Sequence, residues 1–219
     1  MEKTKDAPKK SKAHIVYKLP DGTKVPGVTT VLGILNKPAL VIWANRLGLQ
    51  GIDSSKYRDE MADIGTLAHK MIVDYFKGET TDTSDYSKGQ IELAENCLLS
   101  FWEWEKNHKI EVIMAEAPLI STEYGYGGTI DCFCKLNGQP TLLDFKTGKA
   151  IYPEMFYQLA AYEQLLTEAG QLIEVTRILR IGRDEDEGFE ERTVGKLDKQ
   201  FKIFTHCLSI YNLRKEERK

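Results

Sequence analysis

Residues 129–149, TIDCFCKLNGQPTLLDFKTGK, decide the fold. Two short apolar runs flank Asn137-Gly138, a pair suited to the positive φ angles of a two-residue hairpin turn. The two-residue period of strands puts Leu142, Asp144 and Lys146 on one face of the second run and Leu143 and Phe145 on the other. On the first run it sets Thr129, Asp131, Phe133 and Lys135 against Ile130, Cys132 and Cys134. The spacing therefore predicts Asp131 and Asp144 on adjacent strands at one end of a sheet, with Lys146 beside them.

Read alone, an Asp and a Lys two apart on a strand form an ordinary exposed ion pair. Two carboxylates and a lysine at one sheet edge have a further use. Phosphodiester hydrolysis needs charge neutralised at phosphorus oxygens and a hydroxide-like nucleophile near neutral pH, and a divalent cation supplies both. Hard cations take oxygen ligands, so Asp131, Asp144 and the carbonyl of Phe145 suit Mg2+ or Mn2+. Lys146 is placed to orient the attacking water or steady transition-state charge.

The flanking segments add to this cluster. YPEMFYQLAAYEQLLTEAG (152–170) reads as a helix with Pro153 in its first turn, and Gln158 and Tyr162 share one face at i, i+4. MADIGTLAHKMIVDYFKGE (61–79) reads as another helix, with Gly65 and His69 four apart. Glu116 lies on the strand EVIMAEAPL. The order GTLAH (65–69), Glu116, GGTID (127–131), DFK (144–146), QLAAY (158–162) resembles the PD-(D/E)xK nuclease superfamily. Within it, the RecB-type exonuclease branch is the most similar, which includes phage exonucleases, the mitochondrial genome maintenance exonuclease and CRISPR adaptation nucleases. The resemblance spans roughly residues 60–170.

The resemblance implies that His69, Asp131 and Asp144 ligate the metal with the carbonyl of Phe145, and that Asp131, Asp144 and Lys146 are catalytic. Gln158 and Tyr162 match the motif beside the scissile phosphate. Glu116 matches an acidic position with a variable role, either a contact behind the ligands or a second metal. A histidine ligand makes Mn2+ as suitable as Mg2+. Some RecB-type relatives carry an iron–sulfur cluster on one upstream and three C-terminal cysteines. Cys97, Cys132, Cys134 and Cys207 lack that pattern and read as buried free thiols.

A chain of 219 residues with 42% hydrophobic content can bury a substantial core without disulfides. No apolar run reaches bilayer length, and MEKTKDAPKKSKAH has no signal-peptide core, so the expectation is a cytoplasmic protein of a bacterial or phage-infected cell, ahead of the mitochondrial matrix. Residues 1–13 read as a disordered basic arm, and 14–219 as one nuclease domain with an N-terminal helical substrate-binding element over about 26–109. Within that element, Trp43 and Arg46 on a Pro38-initiated helix offer a base-stacking platform and a phosphate contact, or else a packed helix with an anchoring Trp. The net charge of −3 argues against a polyanion partner until the run DEDEGFEE (184–191) is set aside as a solvated hairpin tip, which leaves the remainder slightly basic.

KGQIELAENCLLSFWEWEKNHK (88–109) reads as a helix with Leu93, Leu98, Phe101 and Trp102 as its core face, and a last helix starts near Asp198 with Phe201, Phe204, Leu208 and Tyr211 inward. Residues 78–89 form a polar loop. The expected architecture is α/β (α+β): a restriction-endonuclease-like core with a central mixed sheet of about five strands near 112, 128, 141, 175 and 191, flanked by helices. The expected function is a metal-dependent exonuclease on single-stranded DNA or DNA ends. The alternatives are a structure-specific endonuclease or RNase on the same core, and a non-catalytic nucleic-acid-binding module. Nothing in the sequence points to a protein partner.

Overall fold

The computed structural model describes residues 15–218, so the arm expected at 1–13 lies outside the described residues. Five strands form one sheet: β1 (Ile110–Ser121), β2 (Tyr126–Leu136), β3 (Gln139–Lys146), β4 (Val175–Ile181) and β5 (Phe189–Val194). They lie side by side in chain order, antiparallel except for the parallel pair β3–β4. That parallel step requires a crossover, which α5 (Pro153–Glu168) supplies. The expected mixed five-stranded α/β architecture is therefore what forms. At the β2–β3 turn Asn137 and Gly138 have φ of 52° and 87°, the two positive values such a hairpin demands.

Each face of the sheet has its own apolar core. One is built with α3 (Ser54–Lys77) and α4 (Lys88–Glu105), where Ile64, Leu67, Phe101 and Trp104 meet Cys132, Cys134, Leu143 and Phe145. The other is built with α5, α6 (Asp198–Glu216) and the short α1 (Val28–Leu32), where Leu159, Tyr162, Leu165 and Phe204 meet Tyr126, Phe133 and Leu142. All four cysteines are buried free thiols, as expected. The remaining helix, α2 (Pro38–Leu49), has no buried residue and leaves Leu40, Val41 and Ile42 exposed.

Three details depart from the sequence expectation. On α4 the inward stripe is Ala94, Cys97, Phe101 and Trp104, spaced three and four apart. Trp102 falls off that stripe and is exposed, while Trp104 takes the core place and donates its indole N–H to Glu191. The acidic run is a solvated tip only through Gly188, with a single 3₁₀ turn over Glu185–Glu187. Its end belongs to β5, where Glu191 is held by Arg177 and Trp104 and lies 3.6 Å from His108 Nε2. A carboxylate so surrounded by donors is satisfied inside the fold.

The third departure matters for the site. Along β2, Tyr126, the position of Gly128, and Ile130 face α5, yet Cys132 and Cys134, of the same parity, face α3 and α4. Strict alternation fails across Asp131. On the neighbouring strand Glu116, between the pairs Ala115–Cys132 and Ala117–Ile130, has φ of 46°. A regular strand cannot contain such a residue, so the sheet is irregular where Asp131 projects.

Gly127 and Gly128 precede this point because neighbours crowd both sides of β2. A Cβ on Gly127 would lie 2.3 Å from Tyr17 Cγ, and one on Gly128 would lie 2.7 Å from Tyr162 Cε1. Gly127→Ala is therefore expected to destabilise the protein by about 1–3 kcal/mol in urea unfolding. In a Tyr17→Ala background the same change is expected to cost less than half as much, and equal costs in both backgrounds would refute the clash.

Candidate active site

Antiparallel pairing of β2 with β3 runs to Cys132 opposite Leu143, and Asp131 and Asp144 are the next residues on the two strands. The Phe145 N–H donates to Asp131 Oδ2 at 2.9 Å, locking the first carboxylate to the backbone of the second strand. From α3, His69 places Nδ1 3.6 Å from Asp131 Oδ1, its ring edge-on to Phe145 with centroids 5.9 Å apart. Lys146 forms an ion pair with Asp144 Oδ2. Each of the two acidic groups thus has one basic partner, Asp131 the imidazole and Asp144 the ammonium.

Burial makes this arrangement electrostatically tense. The Asp144 side chain has no exposed surface; Oδ2 meets only the Lys146 ammonium, and Oδ1 has no hydrogen-bond partner among the described residues. Desolvation pushes the Asp144 carboxyl up to about 6 against the pull of Lys146, and the nearby Asp131 charge adds to the rise. For Asp131, burial also pushes upward, but His69, Lys146 and the Phe145 N–H together hold the carboxyl below the usual range. Burial pushes the His69 imidazole down, and Asp131 more than offsets it, so His69 is raised. The two neighbouring carboxylates are therefore pushed apart in proton affinity, Asp144 upward and Asp131 downward.

Helix α5 brings Tyr162 over Gly128, and Gln158 Nε2 donates to the Tyr162 hydroxyl at 2.8 Å. Burial, then the charges of Asp131 and Asp144, raise the Tyr162 phenol well above its ordinary value, which places it within electrostatic reach of both acids. Glu116 is exposed on β1 opposite Asp131 and makes no hydrogen bond or ion pair among the described residues. Trp43 and Arg46 sit on α2. Trp43 packs against Tyr57 with centroids 6.1 Å apart, Arg46 is exposed, and neither is bonded to the acidic pair. The structure brings together His69, Asp131, Asp144, Lys146, Gln158 and Tyr162, but not Trp43, Arg46 or the side chain of Glu116.

Sequence reasoning missed three supports. Arg183, just beyond β4, donates through Nη2 to Thr147 Oγ1 at 3.0 Å and to the Met61 carbonyl at 3.1 Å, while Asn96 of α4 donates to its carbonyl at 2.9 Å. It fastens α3 and α4 to the end of β3. Thr147 in turn needs Gly65, where a Cβ would stand 2.9 Å from its Oγ1. Tyr17 bonds Thr129 Oγ1 at 2.8 Å. Arg183 opens a strongly acidic run, and nothing local marks it as turned inward.

Among the described residues no three His, Cys, Asp or Glu side chains converge to hold a metal as they stand. The donor set nonetheless fits a hard divalent cation: two carboxylates, an imidazole and the adjacent Phe145 carbonyl, with both oxygens of Asp144 lacking hydrogen bonds.

No family model matches the chain, and no curated protein matches it. Among solved structures it is similar to LHK-Exo in complex with dAMP, at 13% identity over 73% of this chain and 86% of that one, with a TM-score of 0.43. It is also similar to LHK-Exo, an alkaline exonuclease from Laribacter hongkongensis, at 12% identity over 72% of this chain and 91% of that one, with a TM-score of 0.37.

The raised Asp144 carboxyl has a thermodynamic consequence in metal-free protein. Its proton is bound more tightly in the folded than in the unfolded chain, so the stabilisation it gives is present at low pH and lost as pH rises through about 6. Asp144→Asn removes that loss. Urea unfolding in EDTA is expected to shift in favour of the variant, relative to the parent, by about 2 kcal/mol between pH 4.5 and pH 8. A difference independent of pH would refute the raised carboxyl.

Proposed function

We propose that the chain is a divalent-metal-dependent DNA exonuclease that hydrolyses phosphodiesters with activated water, in the manner of the RecB-type branch it resembles. The observation that carries this reading is the buried pair Asp131 and Asp144 at one sheet edge, with Lys146 against the carboxylate that lacks hydrogen bonds. An ordinary structural ion pair would be satisfied by donors. Here Lys146 is the one partner of Asp144 at Oδ2, Oδ1 has none, and His69 and Tyr162 lie within electrostatic reach.

Asp131, Asp144, His69 and the Phe145 carbonyl would hold Mg2+ or Mn2+, which when bound supplies charge neutralisation at phosphorus and acidifies water. Asp144 has to give up its contact with Lys146 to serve as a ligand, and the released ammonium is then free to hold the attacking water or an equatorial phosphate oxygen. His69 has to turn from Asp131 towards the same space. The paired Gln158 amide and Tyr162 hydroxyl offer donors to the phosphate beside the scissile bond. Glu116, on the strand beside Asp131 with its side chain outside the cluster, matches a position that in the resemblance serves either behind the ligands or at a second cation. Trp43 and Arg46 on the exposed α2 are offered as a stacking and phosphate contact for the strand. In the described residues no helix is long and apolar enough to cross a membrane.

The test is incubation of the purified chain with end-labelled linear and with circular single-stranded DNA, in Mn2+, Mg2+ or EDTA. Loss of the linear substrate alone, dependent on metal, is expected, and Lys146→Ala is expected to lower kcat by at least about 10²-fold with the fold intact by circular dichroism. His69→Ala is expected to raise the Mn2+ concentration for half-maximal rate about tenfold or more. Cleaved circles would replace exonuclease with endonuclease, and a fully active Lys146→Ala would end the mechanism.

A further inference from the structure

A second site lies outside the catalytic cluster. The segment over residues 15–27 doubles back on itself, with Lys18 bridged to Lys24, and lies across β2 beside α1 and the end of α6. Between these parts is an open groove of about 520 Å3, lined in part by Tyr17, Lys24, Thr29, Thr30, Tyr211 and Lys215. Its described lining carries two ammonium groups and four hydroxyls and contains no carboxylate. In a chain of net charge −3, a groove with that lining selects for an anion with many oxygen acceptors.

Tyr17 joins this groove to the catalytic edge. Its ring covers Gly127, and its hydroxyl bonds Thr129. Gly127, Thr129 and Asp131 follow one another at the two-residue period on the face of β2 turned away from α5. Gly27, which lines the groove and is bridged to Gly127, therefore lies beside β2 four residues from Asp131, ~13 Å along the strand. A DNA strand stacked as in a duplex covers that in about four nucleotides at a rise of ~3.4 Å each.

We propose that this groove binds the phosphate backbone of the same DNA strand about four nucleotides from the scissile bond, with Lys24 and Lys215 as the phosphate contacts. The identity of the ligand rests on the nuclease reading. The binding itself does not require turnover. Anchoring a strand at both places restricts how it slides past the acids, and the groove's contacts are to phosphate, so they are indifferent to base sequence.

The test is anisotropy of fluorescein-labelled oligothymidylates of three to sixteen nucleotides with the full-length chain in EDTA. In the parent, affinity is expected to step upward once the oligomer exceeds about four nucleotides. In Lys24→Glu/Lys215→Glu the step is expected to vanish, with the twelve-nucleotide ligand bound about tenfold more weakly. The slope of log affinity against log salt is expected to be shallower by about 1.4, from two lost phosphate contacts. Lys24→Gln/Lys215→Gln, which adds no negative charge, is expected to give the same loss of slope. Circular dichroism melts establish that each variant folds. Folded variants that keep both the step and the salt slope would overturn the groove, and so would an equal loss at every length including three. A parent chain that shows the step but never cleaves DNA would end the nuclease reading and leave the groove standing, while a step for RNA without one for DNA would overturn the assignment of the strand.

Discussion

Asp144 has no exposed surface and stands between Leu142, Leu143 and Phe145 on the strand and the packed helices on either side. An isolated carboxylate in such surroundings costs several kcal/mol, and one charged partner offsets that only in part. Lys146 is that partner, and it comes from the same strand two residues on, so the pair is local and needs no distant element to form it. The rest of the site answers the same constraint. With Asp144 taking Lys146, the adjacent Asp131 has to be balanced separately, and α3 delivers His69 while β3 delivers the Phe145 N–H. The long helix, the hairpin and the crossover all meet at the place where two negative charges need to coexist out of water.

Irregularity of the sheet has the same origin. A regular β2 would keep Asp131 and Phe133 on one side, so that either the carboxylate entered the apolar core under α5 or the phenyl ring left it. Instead the facing of the strand changes at Asp131, and Glu116 beside it takes a left-handed backbone angle of 46°. For a residue with a side chain this conformation costs on the order of 1–3 kcal/mol. The break lets the carboxylate reach His69 and leaves both apolar cores closed.

What was legible in the sequence was whatever depends on local period and turn chemistry. Asn137-Gly138 specified the hairpin, whose register brought Asp131 and Asp144 next to each other, and the helical period put Gln158 beneath Tyr162. The same rules misjudged α4 because two tryptophans lie two apart, and only Trp104 has the polar partner, Glu191, that lets an indole go inward. The facing change at Asp131 was invisible because it answers charges brought from elsewhere in the chain. Arg183 and Tyr17 were invisible for a similar reason: their partners lie 36 and 112 residues away, and no period links them.

Arg183 shows how such long-range contacts govern the site without touching it. Its guanidinium holds Thr147, the residue after Lys146, and the Met61 carbonyl two turns before His69, while α4 is tied to its own carbonyl. The Lys146–Asp144 and His69–Asp131 contacts are thereby fixed to one rigid unit of α3, α4 and the end of β3. Gly65 allows the close approach, since a methyl group there would push Thr147 and α3 apart. A separation of a few tenths of an ångström between α3 and β3 would alter the His69–Asp131 distance directly, because those two elements carry the two residues' nearest anchors, the helix backbone and the Phe145 N–H. The electrostatic balance of the carboxylates is therefore a property of how helix and strand are clamped, as much as of the residues that carry the charge.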